Sequence, residues 1–340
     1  MRSPSLGRVR VTLWGVAGAV ALASDAYLLL HALCGDCLAA VAQANHVAHW
    51  VTLAGALAIP AGLLGRRWLV AALGMPGALA FGWWYGPLLW PPNIDAPPQA
   101  ETFTIATYNV EREFTDPADV LEVILALDAD IIALQEAPDA LRRAPELIAR
   151  YPHRAYAKPS LDEQLHLLSR FPILRVEVPP VDEVRLPDGK YQTRYLRAEM
   201  LIYGQRIAVY NFHPNRPRFT PLLRYDNGAN QAAFDRMLTL LDAETLPTLV
   251  LCDCNTTPRT PQYHAFDALL DEAFAQAGWG LGLTHPGLPQ LRGMFVLNMR
   301  IDYVWYSAAF RALAADVWHT SAGSDHRPLW ARLALLDVQR

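Results

Sequence analysis

Single polar residues close short apolar runs at widely separated points of the chain. Glu136 ends Ile131-Ile132-Ala133-Leu134-Gln135-Glu136, and Asp253 ends Leu249-Val250-Leu251-Cys252-Asp253. Asn109 and His213 stand in comparable places, as do Asn255 beside Asp253 and Asp325 beside His326. An apolar run of four to eight residues reads as a buried strand, so each polar side chain is delivered at a strand end. Carboxylates brought into one crevice can hold a hard divalent cation through oxygen ligands. Asn and His beside such a cation can donate to an anionic substrate. Singly, each residue also has a plainer reading: Asn109 as a turn residue, Glu136 as a helix cap, His213 as a satisfied surface histidine.

Together the residues form an ordered set. Thr107-Tyr108-Asn109-Val110-Glu111 is followed by Gln135-Glu136, then Asn211-Phe212-His213-Pro214, then Asp253-Cys254-Asn255. Arg300-Ile301-Asp302-Tyr303-Val304 leads to Gly323-Ser324-Asp325-His326-Arg327-Pro328, and Leu168-Ser169-Arg170-Phe171-Pro172-Ile173 is a further matching segment. The set resembles the endonuclease/exonuclease/phosphatase superfamily over residues 101–337. The resemblance implies a two-sheet α/β sandwich and a metal-dependent phosphoric ester hydrolase using Mg2+, with Mn2+ as the alternative. By the same resemblance, Glu136 is the main metal carboxylate, with Asn109, Glu111 and Asp325 completing or supporting the metal shell. Asp253 orients or deprotonates the attacking water. Asn255, His213 and His326 donate to phosphoryl oxygens, with Asp302 holding the His326 tautomer. A carboxylate on one ring nitrogen raises imidazole basicity and aims the other nitrogen.

Two positions of one motif depart from the family pattern, which commonly has Gly-Asp-Phe-Asn where this chain has Cys252-Asp253-Cys254-Asn255. Strand alternation places Asp253 and Asn255 on one face and the two cysteines on the other. The cysteines are then expected to be small core residues, because same-face neighbours on one rigid strand do not easily bridge.

The elements that must position these residues alternate between strand and helix. Strands are expected at Phe103–Val110, Asp130–Leu134, Leu165–Ser169, Arg175–Val178, Thr248–Asp253, Ile301–Tyr306 and Leu329–Leu335, with a hairpin of Arg194–Ile202 and Arg206–Phe212. Helices are expected at Pro117–Leu127, Ala140–Arg150, Asn227–Leu241 and Gln262–Ala268. This mixture suggests two packed sheets with helices on their outer faces.

The first hundred residues are different material. Of 29 basic and 33 acidic residues in the chain, this part holds only Arg2, Arg8, Arg10, Arg66 and Arg67, with Asp25, Asp36 and Asp95. That leaves 24 basic and 30 acidic residues to the remainder, a net charge of −6. Val11–Leu33, His46–Leu64 and Trp68–Trp90 are apolar runs near the ~20 residues that cross a bilayer as helix. Three transmembrane helices are therefore expected within residues 1–90, then a stiff Pro-rich linker over 91–100 and a catalytic domain over 101–340. A cleaved signal peptide fits less well, since the first run is long and has no clear cleavage site. Trp83, Trp84, Tyr85 and Trp90 suit an aromatic belt. The arginines fall on one side of an odd number of spans, which places the N-terminus in the cytoplasm and the catalytic domain outside a bacterial-type inner membrane. Cys34, Cys37, His46 and His49 follow a C-x2-C-x8-H-x2-H spacing, with both histidines expected on one helix face. An ordinary loop, a disulfide and a metal site remain open there.

Composition limits the partners. The whole chain carries −4 at neutral pH, so no bulk basic field marks a polyanion partner. Four cysteines exclude a disulfide scaffold. The expected substrate is a phosphodiester or phosphomonoester at the bilayer, either a lipid headgroup or a small extracytoplasmic ester, with no obligate protein partner. An extracytoplasmic nuclease is the alternative, with Arg216, Arg218 and Arg224 as a local anion track. A non-catalytic binding protein is a third reading, weakened because Glu136, Asp253, Asp302 and Asp325 are all present.

Overall fold

The computed structural model describes residues 4–111, 113–157, 164–179, 195–220, 224–285 and 298–336. Arg2, used in the charge argument, and Arg194, the expected first residue of a strand, lie outside the described residues, as does the side chain of Arg224. The chain divides into two compact units. One comprises the chain up to Trp90 with Phe219–Tyr225 and Pro258–Pro261; the other comprises the rest.

The first unit is helical: α1 (Pro4–Cys34), α2 (Ala39–His46), α3 (Ala48–Ala56), α4 (Ala58–Gly65), α5 (Trp68–Leu73) and α6 (Met75–Tyr85). Its polarity is inverted relative to a water-soluble bundle. Ser24, Asn45, His46, His49 and Thr52 are buried, whereas Leu22, Leu29, Leu33, Leu64, Leu69 and Trp83 are exposed. Small residues bring the helices together. A Cβ on Gly62 would lie 2.4 Å from the Ala71 amide nitrogen.

Among the described residues, Leu13–Cys34 and Ala48–Gly65 are long and apolar enough to cross a bilayer. The third expected span is not one helix. It breaks at Gly74, and α6 begins with Met75 followed by Pro76, whose nitrogen cannot donate to the preceding turn. His46 and His49 also depart from expectation. His46 closes α2, Val47 leaves helical geometry, and His49 lies in α3. Cys34 and Cys37 are disulfide-bonded, with Cα atoms 5.5 Å apart. That removes the thiolates a metal would need.

The second unit holds two six-stranded sheets. The first contains β1 (Thr102–Asn109), β2 (Ile131–Gln135), β3 (His153–Ala157), β4 (Leu165–Ser169), β13 (Phe310–Val317) and β14 (Leu329–Leu335), in the order β13-β14-β1-β2-β4-β3. The second contains β5 (Ile173–Glu177), β6 (Tyr195–Ile202), β7 (Gln205–Phe212), β10 (Thr248–Asp253), β11 (Asp271–Glu272) and β12 (Asp302–Tyr306), in the order β11-β12-β10-β7-β6-β5. A short ribbon pairs β8 (Arg218–Thr220) with β9 (Arg224–Asp226).

The sheets pack face to face. Ile105, Ile131 and Leu167 of the first meet Leu196, Val209, Leu251 and Val304 of the second in one buried cluster. Helix α7 (Pro117–Leu127) covers the outer face of the first sheet through Val120, Val123 and Ile124. Helices α9 (Gly228–Ala243) and α10 (Pro261–Asp267) cover the second through Phe234, Met237 and Phe266, packed on Tyr210, Phe212 and Trp305. The helix expected over Ala140–Arg150 is instead a 3-10 turn, Asp139–Arg143, followed by α8 (Pro145–Arg150). Pro145 disfavours helical geometry at Ala144, so the chain restarts there. Helix α11 (Ala273–Ala277) completes the unit and begins under a Glu272 side chain that accepts from Phe274 and Ala275.

Candidate active site

Pairing direction decides which strand ends meet. β1 runs parallel to β2, and β7 runs parallel to β10. β12 is antiparallel to β10, opposing Asp302 to Asp253, and β14 is antiparallel to β1, opposing Leu329 to Thr107. The ends bearing Asn109, Glu136, His213 and Asp253, and the starts that follow Ile301 and His326, therefore converge.

The same local device ends a strand in each sheet. Asn109 Oδ1 accepts from the Glu111 amide at 3.0 Å, and Asp253 Oδ1 accepts from the Asn255 amide at 3.1 Å. Each is a side-chain turn of the kind Asn and Asp favour. Glu111, Glu136 and Asn255 all take left-handed backbone, with φ of 52°, 50° and 51°. Such geometry costs a non-glycine residue roughly 1–3 kcal/mol and needs compensating contacts. Here the turns re-aim the chain so that the polar side chains of successive motifs face one another.

The two sheets are joined through Asn109. Its Nδ2 donates to Asp253 Oδ2 at 2.9 Å and to Glu136 Oε1 at 3.3 Å. Glu111 Oε2 accepts from the Asp325 amide at 3.0 Å, and Ser324 Oγ donates to the Asn109 carbonyl at 2.8 Å. Behind this row, Gln135 donates to Asn211 at 2.8 Å, and Asn211 donates to the carbonyls of Leu134 and His166. These buried amides fix the register of both sheets under the site.

Asp253 lies between two imidazoles. His213 Nε2 is 3.2 Å and His326 Nε2 is 3.6 Å from Asp253 Oδ2. His326 Nδ1 donates to Asp302 Oδ2 at 2.9 Å, which realises the expected pair. Asn255 turns its Nδ2 to the Pro214 carbonyl at 3.2 Å. His285 Nε2 lies 3.3 Å from Asp325 Oδ2, and its ring centroid is 4.5 Å from that of His326. His285 stands outside every motif read from the sequence. Its place depends on backbone pairing between His285 and Met299, which no local pattern announces.

The charges follow from this packing. Burial opposes ionisation of Asp253, but His326, His213 and the Asn109 amide hold its carboxyl well below the usual carboxylate range. Burial opposes ionisation of Asp325 in the same way, and His285 and His326 outweigh it. Burial raises Asp302, with His326 offsetting part of the rise. For His326, burial disfavours the charged ring, yet Asp302, Asp253 and Asp325 carry it up to about 10. These carboxylates favour the charged ring, the form that donates at both nitrogens.

The cysteine expectation is corrected here. Cys252 and Cys254 are disulfide-bonded, with Cα atoms 5.2 Å apart, and both are fully buried. Strand geometry ends at Asp253, and the turn into left-handed Asn255 swings Cys254 out of the alternation that would have kept the two apart.

Asn109 bonds to Glu136 and to the Glu111 amide, and Glu111 bonds to the Asp325 amide. Two groups bring ligand atoms within 4.8 Å of one another, His285 with Asp325 and His326, and Asp253 with Asp302 and His326. The carboxylate oxygens in these groups are of the kind a hard divalent cation takes. His326 would join them only as a neutral ring, because a ligating imidazole must be neutral. The carboxylates are thus the better donors. Asn109 presents its amide NH2 to Glu136 and Asp253 and its oxygen to the Glu111 amide.

A family model described as "Endonuclease/Exonuclease/phosphatase family" matches residues 106–326, which span every residue of this constellation. The chain belongs to the endonuclease/exonuclease/phosphatase family. Solved structures agree on the fold of this family. An endonuclease/exonuclease/phosphatase from Beutenbergia cavernae DSM 12333 is similar at TM-score 0.54 and 22% identity, over 69% of this chain and 72% of that one. A humanized D. rerio TDP2 is similar at 0.53 and 14%, over 68% and 98%. The human Nocturnin catalytic domain is similar at 0.51 and 18%, over 72% and 100%. No curated protein matches the chain in sequence.

Proposed function

We propose that this family member is a membrane-anchored, divalent-metal-dependent phosphoesterase whose substrate is a lipid headgroup or a small extracytoplasmic phosphoester. The observation that carries the catalytic reading is the buried Asp253 carboxylate, held by Asn109 and flanked by His213 and His326 where the two sheets meet. Asp253, kept ionised, accepts from the attacking water and orients its lone pair toward phosphorus. Positioning of this kind is much of what phosphoryl transfer requires. His326, kept cationic, and His213 donate to phosphoryl oxygens as charge develops there. Asn255 lies beside them and adds a neutral donor. Glu136, with Glu111 and Asp325, would hold Mg2+ or Mn2+. When bound, the cation neutralises phosphate charge and stabilises the leaving oxygen.

Two features support the membrane reading. The helical unit turns apolar side chains outward and polar ones inward, which suits hydrocarbon rather than water. Arg8 and Arg10 near the start of α1, with Arg66 and Arg67 after the second apolar helix, put the intervening Cys34–Cys37 loop outside, and α5 with α6 would make the third crossing that carries the catalytic domain outside. Disulfides persist in oxidising compartments, and this chain carries one in that loop and one beside Asp253.

The test is a panel of phospholipids, small monoesters and diesters, inositol phosphates, DNA and RNA, offered to the full chain in detergent with Mg2+ or with chelator. Metal-dependent release from a lipid or small ester supports the reading. Hydrolysis of nucleic acid alone would replace it with the nuclease alternative, and no hydrolysis of any ester would contradict both.

A further inference from the structure

The helical unit includes two short segments from far along the chain, Phe219–Tyr225 and Pro258–Pro261. The second brings a cation into an aromatic corner. Pro258 and Pro261 fix the backbone on either side of Arg259, and Thr260 beside it is buried. The Arg259 guanidinium carbon lies 5.1 Å from the Trp84 ring centroid, a cation-π contact. Trp84 meets His31 edge-on, with centroids 5.6 Å apart, and the His31 ring lies 5.7 Å from that of Tyr27. The charge of Arg259 reaches both Tyr27 and His31. Tyr27 is anchored in turn: its hydroxyl donates to Asn45 Oδ1 at 3.0 Å, and Asn45 donates to the Gly35 carbonyl at 3.3 Å.

This corner sits where two apolar helices end. His31 lies in the last turn of α1 and Trp84 in the last turn of α6. Leu33, Trp83 and Trp90 nearby in the chain are exposed. Tryptophans turned outward at helix ends mark the level where hydrocarbon gives way to headgroups. Lipid phosphates lie at that level.

Arg259 has unspent capacity. Its Nε is closed off from solvent and meets no hydrogen-bond partner among the described residues. Asp36 acts on His31 and Tyr225, and among the described residues Arg259 forms no ion pair with it. A cation-π stack uses the face of the guanidinium and leaves its edge free. The residue is partly exposed, so the terminal amino groups of the fork are left for a ligand. A planar fork of this kind matches phosphate oxygens.

We propose that Arg259, stacked on Trp84, holds the phosphodiester of a phospholipid in the leaflet at this end of the helical unit. The proposal rests on the membrane reading and not on the phosphoesterase one. Charge complementarity selects the phosphate, and the exposed apolar side chains around the corner suit the acyl chains. Arg259 follows Asn255 by four residues, so a lipid held there also restrains the loop that leaves Asn255.

The first measurement is native mass spectrometry of the full chain in neutral detergent with added phosphatidylglycerol. Saturable retention of one lipid is expected, weakened about tenfold or more in Arg259→Gln, because a charge-assisted donor is lost. Diacylglycerol, which has the chains without the phosphate, should be held equally weakly by parent and variant. Phosphatidylglycerol retention unchanged in Arg259→Gln would overturn the proposal. Displacement of the lipid by inorganic phosphate would make this a soluble-anion site and overturn it too. The second measurement separates binding from packing. Phosphatidylglycerol should raise the Tm of the parent, as any ligand of the folded state does. Arg259→Gln should abolish that rise, and Arg259→Lys, which keeps the charge without the planar fork, should keep part of it. If Arg259→Gln lowers Tm in detergent alone while the lipid still raises it by the parent amount, Arg259 only pins Pro258–Pro261 and the proposal fails. Arg259-dependent lipid retention without hydrolysis of any ester would uphold the site and sink the phosphoesterase reading. Hydrolysis with lipid retention independent of Arg259 would do the reverse. Failure of the full chain to enter phosphatidylglycerol vesicles would sink the membrane reading and this proposal with it.

Discussion

His326 and Asp302 lie 24 residues apart and meet at 2.9 Å, ring nitrogen to carboxylate, while the other nitrogen of the same ring approaches Asp253 to 3.6 Å. One imidazole thus ties the start of β12 to the end of β10. Its charge depends on the carboxylates around it, because burial alone would remove it.

Removing Asp302 should therefore be read in pH. With His326 raised from its ordinary 6.5 to about 10, stability from its charge is complete below about pH 6.5. It is lost as pH rises through about 10. Asp302→Asn should lower the histidine pKa, since an opposite charge within ~4–6 Å favours the charged form. The alkaline limb of the rate profile then moves to lower pH, and the alkaline loss of stability flattens. His326→Ala should lose roughly 10²–10³ in rate. If both variants instead lose activity only in step with thermal stability and the profile keeps its shape, the pair is a packing contact.

Metal affinity should separate the carboxylates. Glu136→Gln removes a charged oxygen ligand and should weaken Mg2+ or Mn2+ binding, with part of the activity restored by excess metal. Calorimetric titration of the variant with Mn2+ checks this. Affinity equal to that of the parent would exclude Glu136 as a ligand.

The Cys252–Cys254 bridge should be visible chemically. Thiol titration of the denatured chain without reductant should find no free cysteine, as both pairs are closed. The bridge spans two residue steps, so loop entropy contributes only about 1–2 kcal/mol. Its larger effect is on the Asp253–Asn255 turn. Cys254→Ala should lower Tm by a few degrees and reduce kcat more than it raises KM. Unchanged kcat would limit the bridge to packing.

Much of the fold is legible in the sequence wherever burial is continuous. Leu165–Ser169 and Thr248–Asp253 form strands over the expected bounds, because an unbroken apolar run admits little else. Pro117–Leu127 is a helix with its start marked by Asp116, whose side chain accepts from Ala118. Edge strands are less legible. His153–Ala157 has weak alternation, and Phe310–Val317 is alanine-rich and extended only because it pairs with β14. The strand-end residues could be named from type and position. That Asn109 would bind both Glu136 and Asp253, or that His285 would reach Asp325, depends on packing between distant segments and has no local signature.

Orientation across the bilayer has its own test. A reporter fused after residue 340, active only outside the cytoplasm, should be active. A cytoplasmic readout would contradict the membrane topology and the headgroup argument together.

The central claim is that Asp253, between His213 and His326, directs water at a phosphoester. The most direct measurement is the hydrolysis rate of full-length Asp253→Asn against the parent, on the best ester of the panel, at saturating Mg2+ with metal affinity measured in parallel. The predicted result is loss of most turnover, with metal binding nearly intact. Retained turnover, or a rate restored by excess metal, would contradict the claim and make Asp253 a ligand rather than the residue that aims the water.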